Sequence, residues 1–187
     1  MEKRIRIAWG ITGAGDRLKE TIEVMKRLKS EHDVEIRVYA SQAGEQVLKW
    51  YKMLDSVKSS FDRFYVERNA NSPFLAGELQ VGKFAALVIA PATANTVAKI
   101  AGGIADTLLS NSALMALKAF VPVYIMPSDY REGEVVTDLP DGRKLRLRVR
   151  KEDVEHVERL RQVDGIFIVE SPEELETELN RLISSAT

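Results

Sequence analysis

The stretch AALVIAPATANTVAKIAGGIADTLL, residues 85–109, decides the fold class of this chain. It opens with the continuously apolar segment Ala85–Ala90, which is typical of a central parallel strand covered on both faces. A turn follows at Pro91–Asn95, and a predicted helix then runs until Gly102 and Gly103 interrupt it. A second helix is predicted from Asp106 to Ala119. The stretch therefore predicts a strand, a turn and a two-part helix of an α/β sheet.

The N-terminal segment shows the same alternation. Arg4–Trp9 is predicted to form a strand, Gly10–Gly15 a glycine-rich turn, and Asp16–Ser30 a helix with Asp16 as its N-cap. A second strand is predicted at Val34–Ala40, followed by Ser41 and a helix through Gly44 to Leu54. Strands that alternate with helices in this way form parallel sheets with helices on both faces.

The C-terminal half adds strands, helices and a hairpin. The turn Pro140-Asp141-Gly142 lies between Glu134–Thr137 and Lys144–Val149, which predicts a β-hairpin projecting from the sheet. Further strands are predicted at 121–126 and 165–169, and helices at 153–162 and 172–183, the last with Ser171 as N-cap. The least regular part, 56–82, is predicted to be a loop followed by a short helix that runs into Val81. Because no linker or repeat interrupts these elements, residues 1–187 are predicted to form a single domain.

Composition argues against several classes of protein. The 27 basic and 28 acidic residues leave a net charge of -1, and the basic run Arg143–Lys151 alternates like the solvated face of a strand, so no nucleic-acid partner is expected. The chain has no cysteine, which excludes disulfides and thiolate metal sites, and no metal site is predicted. We find no signal peptide and no apolar run long enough for a membrane helix, and therefore expect a cytoplasmic protein with no membrane partner.

Three turns that follow predicted strands carry the candidate binding residues. Glycines in Gly10–Gly15 allow backbone N–H groups to approach an anion, although a tight turn without a ligand remains an equal alternative. Ser41 can donate to a phosphate or act simply as a helix cap. In Ala90–Thr96, small residues such as Ala92 leave room for a flat ring, while Thr93 and Asn95 offer hydrogen bonds; Asn95 is also the expected cap of the next helix. Ligands of parallel sheets bind at this end of the strands.

GITGAG, Ser41 and the stretch 90–109 together resemble the flavoprotein family of homo-oligomeric flavin-containing cysteine decarboxylases, within roughly Lys3–Ser128. The archaeoflavoprotein A and flavin-dependent dihydromethanopterin reductase branch is the most similar. The resemblance implies a three-layer, Rossmann-like (flavodoxin-type) fold and bound FMN, often between the subunits of a trimer. By position, it implies flavin contacts from Gly13, Ala14 and Gly15, a phosphate contact from Ser41, ribityl and phosphate contacts from Thr93, Ala94, Asn95 and Thr96, and further contacts from Ala105, Asp106, Met126 and Ser128.

The sequence departs from the decarboxylase pattern after the strand that begins at Val121. Cysteine decarboxylases carry a PxMN-type motif there and a cysteine-containing clamp, whereas this chain has Met126-Pro127-Ser128-Asp129-Tyr130 and no cysteine. We therefore predict a redox flavoprotein that passes electrons from a donor such as ferredoxin or a reduced nucleotide to an acceptor, for which a pterin such as dihydromethanopterin is a candidate. A non-redox FMN enzyme, either a phosphopantothenoylcysteine-type decarboxylase or a flavin prenyltransferase, remains the alternative.

Three further expectations concern surfaces. The helix from Ile104 to Ala119 mixes Ala, Ser and Leu on several faces, which predicts a homo-oligomer built from trimers. Basic residues of the hairpin, Arg143 to Arg148, are candidates for docking an acidic electron donor, although a solvated strand is the simpler interpretation. His32 and His156 are expected to be surface residues rather than catalysts.

Overall fold

The computed structural model describes residues 4–186, in which strands and helices alternate along the chain. The elements are β1 (Ile5–Ile11), α1 (Leu18–Glu31), β2 (Val34–Ala40), α2 (Gln42–Trp50), α3 (Leu54–Ser60), β3 (Arg63–Val66), α4 (Leu75–Gln80), β4 (Ala86–Ala92), α5 (Ala94–Ala101), α6 (Leu108–Lys118), β5 (Val123–Pro127), β6 (Gly133–Asp138), β7 (Lys144–Val149), α7 (Lys151–Arg161), β8 (Ile166–Ile168) and α8 (Pro172–Ala186).

Six strands form a sheet in the order β3-β2-β1-β4-β5-β8, and every neighbouring pair is parallel. The chain winds outward from β1 in one direction and from β4 in the other. Connections leave the carboxyl ends of β1 and β4 toward opposite sides of the sheet, which opens a crevice between them. The predicted ligand-binding turns follow these two strands and their neighbours β2 and β5.

Helices cover both faces of the sheet and define two halves of the core. On one face α1, α2, α3 and α8 pack against apolar side chains that include Trp9, Val88 and Met126. On the other face α4, α5, α6 and α7 pack against side chains that include Leu87 and Ile125. Because β4 is buried on both faces, all of its residues are apolar or small. The predicted three-layer, Rossmann-like α/β fold with helices on both faces is confirmed.

The predicted hairpin is also confirmed. β6 and β7 pair antiparallel as a separate two-stranded sheet, in register from Gly133 with Val149 to Asp138 with Lys144. The predicted short helix near Val81 corresponds to α4. One strand, β3, was not predicted. It lies at the edge of the main sheet beside β2. It has only four residues and one of them is exposed, so its apolar pattern is too short to stand out.

Two of the predicted helix caps are wrong. Asp16 does not cap α1, because Arg17 occupies that position with a left-handed backbone and the Asp16 carboxylate pairs with the Arg17 guanidinium instead. Asn95 lies inside α5, which begins one residue after Thr93, and the Thr93 hydroxyl accepts from the Thr96 amide. The cap at Ser171 is confirmed, since its hydroxyl accepts from the Glu174 amide.

The uncharged faces of α6 have an explanation within the subunit. Residues from Leu108 to Ala113 are all buried, mainly by packing against α4 and α5, so they are not an exposed oligomer surface. Neither histidine is fully exposed: the His32 ring lies 2.6 Å from the Asn180 side chain, and Nδ1 of His156 is enclosed with no hydrogen-bond partner in the described residues. Among residues 4–186, no helix has both the length and the apolar character needed to cross a membrane.

Candidate functional site

Hydrogen bonds tie together the turns that follow β1, β2, β4 and β5. Buried Thr12, directly after β1, donates from Oγ1 to the Pro91 carbonyl at 2.7 Å and accepts from the Thr93 amide at 3.0 Å. The Ser41 amide donates to the Ile11 carbonyl at 2.9 Å, and the Ser128 amide donates to the Ala92 carbonyl at 3.0 Å. These contacts hold four strand ends in a fixed arrangement at the carboxyl edge of the sheet.

A polar cleft of about 590 Å³ opens between these turns. Hydroxyl groups, amides and charged side chains dominate its lining, which consists of Thr12, Gly13, Ser41, Gln42, Ala43, Glu67, Arg68, Asn69, Thr93, Asn95, Thr96, Asp106, Thr107 and Leu109. Two of its three charged groups are already engaged. Asp106 accepts two hydrogen bonds from Lys99 at 2.8 and 3.1 Å, and Glu67 accepts from the Leu108 amide at 2.7 Å. Arg68, the third charged residue of the lining, is exposed.

Three helices begin at this cleft, α2, α5 and α6, and each has a hydroxyl cap, from Ser41, Thr93 and Thr107 respectively. Ser41 Oγ accepts from the Gly44 amide at 2.9 Å at the start of α2, and Thr93 Oγ1 accepts from the Thr96 amide at 3.3 Å at the start of α5. Accepting one hydrogen bond leaves the Ser41 hydroxyl hydrogen free to donate, and the Thr93 and Thr96 hydroxyls, 3.1 Å apart, share one hydrogen between them and keep the other. First-turn amides of a helix also have no partner within the helix, and the dipole adds partial positive charge. Capping and anion binding by Ser41 and Thr93 are therefore compatible.

Three glycines at the site lie too close to neighbouring atoms to carry a side chain without a shift. A Cβ atom at Gly13 would lie 2.8 Å from the Cβ of Ala43 in the first turn of α2. A Cβ atom at Gly15 would lie 2.7 Å from the Tyr51 hydroxyl oxygen. At Gly44, a Cβ would lie 2.3 Å from the Ile11 carbonyl oxygen, so α2 packs directly on the end of β1. The turn after β1 thus leaves backbone, without side chains, facing the space where a flat group would lie.

A second cleft, of about 330 Å³, continues from the first and shares Gly13 and Thr93 with it. Most of its lining is apolar and comes from α2 and the hairpin: Val47, Trp50, Tyr51, Val135, Leu139, Pro140, Leu145 and Leu147. The turns after the strands contribute Ala14, Gly15, Asp16, Ala94, Ser128 and Asp129. The hairpin strand β6 adds the polar side chain of Thr137. The Ser128 hydroxyl oxygen is buried and has no hydrogen-bond partner in the part of the chain that the structure describes. The hairpin therefore covers this second cleft, the apolar cleft, which lies beside the polar cleft.

The carboxyl group of Asp129 is electrostatically unusual. Partial burial raises its pKa, and the nearby carboxylates of Asp153 and Asp16 raise it further, while the Arg150 guanidinium opposes them. Asp16 is paired with Arg17 at 3.0 Å and Asp153 with Arg150 at 2.5 Å. These two carboxylates and partial burial therefore shift the pKa of Asp129 above its ordinary value.

The structure brings most of the predicted site residues together. Six line the polar cleft: Gly13, Ser41, Thr93, Asn95, Thr96 and Asp106. Six line the apolar cleft: Gly13, Ala14, Gly15, Thr93, Ala94 and Ser128. Three line neither. Ala105 is exposed outside both clefts, and Ala92 is buried in β4. Met126 is fully buried in the core on the side of α1 and α8, and its expected contact with the cofactor stays a prediction.

Several residues that line the clefts were not singled out by the sequence. Thr12 was included only as part of the glycine-rich turn, and a buried threonine between two strand ends gives no periodic signal. Arg68 and Asn69 come from the loop after β3, the strand that escaped prediction. Trp50, Tyr51 and the inner face of the hairpin reach the site only through long-range packing. Within residues 4–186, no group of three or more His, Asp or Glu side chains is arranged to hold a metal ion.

The crevice lies at the switch point of a doubly wound sheet, and helices with hydroxyl caps begin there. These two features together are typical of the class of proteins that bind a mononucleotide. A sequence model of the family named Flavoprotein matches residues 1–180, and the chain belongs to this family. An uncharacterized protein of Methanocaldococcus jannaschii is 51% identical over 172 residues, which are 92% of each chain. The dihydromethanopterin reductase (acceptor) of the same organism is 40% identical over 153 residues, covering 76% of this chain and 62% of the reductase.

A solved structure resembles the chain over nearly its whole length. The crystal structure of Burkholderia xenovorans DmrB in complex with FMN, described as a cubic protein cage for redox transfer, superposes with a TM-score of 0.84. The two sequences are 33% identical, and the match covers 99% of this chain and 98% of that one. The likeness includes the region of the hairpin, since almost no part of either chain is left out.

Proposed function

We propose that this protein is an FMN-dependent oxidoreductase that passes electrons to a flat heterocyclic acceptor of the pterin class. One observation carries the proposal: a polar cleft suited to a phosphate and an apolar cleft suited to an aromatic ring system meet at Gly13 and Thr93. Membership of the Flavoprotein family and the FMN complex of DmrB support the same cofactor.

The residues present fit FMN. Its phosphate would lie at the starts of α2 and α5, where the Ser41 hydroxyl can donate and the amides ahead of Gly44 and Thr96 have no partner within their helix. Arg68 adds a cation at the same cleft. The flavin ring would lie against the bare backbone at Gly13, where a Cβ would already collide with α2. When bound, FMN supplies the capacity to accept and donate one or two electrons, while the protein supplies orientation and access.

The apolar cleft supports a flat acceptor. Trp50, Leu145 and Leu147 give it apolar walls, and the unpartnered Ser128 hydroxyl and the Asp129 carboxyl give it two directed polar groups. The relative from Methanocaldococcus jannaschii named dihydromethanopterin reductase (acceptor) supports a pterin in this role. This chain spans about 62% of that relative, so the dihydropterin acceptor is part of the proposal.

Redox chemistry is favoured over the decarboxylase alternative by the residues after β5. The Tyr130 ring stands where the decarboxylase motif would place its asparagine, and it lies under the guanidinium groups of Arg17 and Arg131 at 5.4 and 5.3 Å. The side chain is thus held by two cations in a loop at the site. The chain also lacks the cysteine of the decarboxylase clamp.

The electron donor in our proposal is ferredoxin or a reduced nucleotide. The hairpin cations offer less free charge than their number suggests, because Arg143, Lys144 and Arg146 pair with Asp141, Asp138 and Glu134 of the same hairpin. Paired surface charges give weak electrostatic steering. We therefore expect only a modest effect of ionic strength on reduction by ferredoxin.

We also propose a homo-oligomer built from trimers. Its support lies in aromatic and aliphatic side chains exposed on several surfaces, including Phe74 at 70%, Ile104 at 49% and Phe120 at 96%. DmrB, described as a cubic cage, supports assembly by more than one contact surface.

The test of the proposed function has two steps. Apoprotein is mixed with FMN and with FAD, and uptake is followed by flavin absorbance and fluorescence. We expect stoichiometric binding of FMN and weak binding of FAD. The holoprotein is then reduced anaerobically with ferredoxin or a nicotinamide nucleotide, and dihydromethanopterin is added. Reoxidation of the flavin with formation of the tetrahydro product is expected. Protein that takes up no FMN, or turnover of phosphopantothenoylcysteine without pterin reduction, would contradict the proposal.

A further inference from the structure

Asp129 lies where the sheet, the apolar cleft and α7 meet. It follows Ser128 directly after β5, and both residues line the cleft. Among the described residues, the Asp129 carboxylate has no hydrogen bond and no salt bridge. A part-buried carboxyl group that no partner engages, beside a hydroxyl that also has no partner, is available to a molecule bound in the cleft.

Asp129 differs from the neighbouring carboxyl groups of Asp16 and Asp153 in having no cation partner within the described part of the chain. Asp16, from the turn after β1, is held by Arg17, and Asp153, from the first turn of α7, is held by Arg150. Across the cleft, the Tyr51 hydroxyl is engaged with the Asp138 carbonyl at 2.7 Å. Burial and the two paired carboxylates raise the pKa of Asp129, against the opposing effect of Arg150. Of the carboxyl groups that line this cleft, Asp129 is the one without a cation partner.

Resting on the proposed function, we infer that Asp129 is the proton donor for reduction of a C=N bond in the acceptor bound in the apolar cleft. FMN, when bound and reduced, would supply a hydride equivalent, which is two electrons and one proton, for a new C–H bond at the carbon. The Asp129 carboxylic acid transfers its proton to the nitrogen, which forms the N–H bond and leaves a carboxylate. The C=N π bond is the bond that breaks. Solvent then returns a proton to Asp129 before the next turnover.

Protonation of the acceptor nitrogen matters because the negative charge that would otherwise develop there lies in apolar surroundings. A general acid at this position contributes roughly 100-fold or more to the rate. An acceptor that takes single electrons and binds no proton does not need it. The proposal therefore predicts a selective defect when the acid is removed, which loss of fold or loss of flavin would not produce.

The test compares Asp129→Asn with Asp164→Asn, an exposed aspartate before β8 that lines neither cleft. Both holoproteins are reduced anaerobically and then mixed with dihydromethanopterin or with ferricyanide. We expect Asp129→Asn to slow reoxidation by the pterin roughly 100-fold and to leave reoxidation by ferricyanide unchanged, whereas Asp164→Asn changes neither rate. In the wild type, the pterin rate should fall as pH rises through the raised pKa of Asp129, and the variant should lose this dependence.

A measurement without flavin provides an independent readout. Infrared difference spectra of the apoproteins, wild type minus Asp129→Asn, should show a protonated carboxyl band that titrates above the ordinary aspartate pKa of about 3.9. The inference fails if Asp129→Asn reduces the pterin as fast as wild type, or if the band titrates at or below the ordinary value. If wild-type protein binds no FMN, or its reduced flavin is oxidised by ferricyanide and not by the pterin, the proposed function itself fails.

Discussion

The hydroxyl group of Tyr51, at the end of α2, donates a 2.7 Å hydrogen bond to the backbone carbonyl of Asp138 at the tip of β6. The two residues are 87 positions apart in the sequence. The bond fastens the hairpin over the apolar cleft, and the same hydroxyl lies where a Cβ at Gly15 would project. One side chain thus links the turn after β1, the helix α2 and the hairpin.

Removal of this hydrogen bond should destabilise the hairpin strands β6 and β7 more than the main sheet. In Tyr51→Phe the ring still packs, but the hydrogen bond, worth about 1 kcal/mol, is lost. We expect faster amide exchange in β6 and β7, with little change in the thermal midpoint of the main sheet, as measured by hydrogen–deuterium exchange and calorimetry. Tyr65→Phe, on β3, is the control and should leave hairpin exchange unchanged. Equal exchange in wild type and Tyr51→Phe would mean that this bond does not secure the hairpin.

Gly13 should not tolerate a side chain while Ala43 is present. A Cβ in Gly13→Ala would lie 2.8 Å from the Ala43 Cβ, so the start of α2 must move. We expect at least a tenfold loss of FMN affinity, measured by fluorescence titration, which corresponds to about 1.4 kcal/mol. The double variant with Ala43→Gly removes the colliding atom and should recover most of the affinity. No recovery in the double variant would show that the collision is not the cause.

A negative charge at Asn95 should weaken cofactor binding without loss of stability. Asn95 is exposed, lines the polar cleft and lies in the first turn of α5, where a carboxylate favours the helix. Asn95→Asp should therefore unfold no more easily than wild type but bind FMN roughly tenfold more weakly, by repulsion of the phosphate. Gln46→Glu, exposed on α2, adds the same charge outside both clefts and is the control. Wild-type affinity in Asn95→Asp would exclude Asn95 from the anion site.

Acid should remove a contribution of Asp62 to stability. Burial acts to raise the pKa of Asp62, but the Ile36 amide at 2.9 Å and the Lys29 ammonium at 3.0 Å lower it overall. A lowered folded pKa stabilises the fold above the unfolded pKa of about 3.9, and the contribution is lost as pH falls through the folded pKa.

Asp62→Asn should accordingly lower the free energy of unfolding at pH 7 by about 1 kcal/mol. The difference from wild type should shrink below about pH 4, in urea unfolding measured across pH. Asp33→Asn, whose side chain is 88% exposed beside Arg4, should have little effect at either pH. A difference that stays constant from pH 7 to acid would contradict the assignment.

Phe120 should contribute to assembly and not to folding of the subunit. It is 96% exposed and has a left-handed backbone with φ of 59°, a conformation that asparagine adopts more readily than phenylalanine. Phe120→Asn should thus be at least as stable as wild type, yet form smaller assemblies in light scattering coupled to size exclusion. Lys118→Gln, two residues earlier on α6, is the control. An unchanged assembly would place the subunit contacts on other surfaces.

Local sequence patterns were sufficient for most elements of the fold, with β3 as an exception. The apolar run of β4, the small residues after it and the glycine pair that ends α5 each act through neighbouring residues, so their positions follow from spacing. Val34–Ala40 was predicted with its observed bounds. The residues of the three turns also follow from local position, because ligands of parallel sheets bind at the carboxyl ends of the strands.

Tertiary structure decided what local patterns could not. Short β3 forms a strand because β2 offers it a partner and because Asp62 accepts from the Ile36 amide. The apolar cleft exists only because the hairpin folds back onto α2, and the raised pKa of Asp129 requires Asp16 and Asp153 to converge on it. Such contacts join residues that are distant in the chain, so no periodicity records them. The sequence by itself determined five of the six strands of the main sheet and the turns that line the polar cleft; the folded chain determined the apolar cleft and the raised pKa of Asp129.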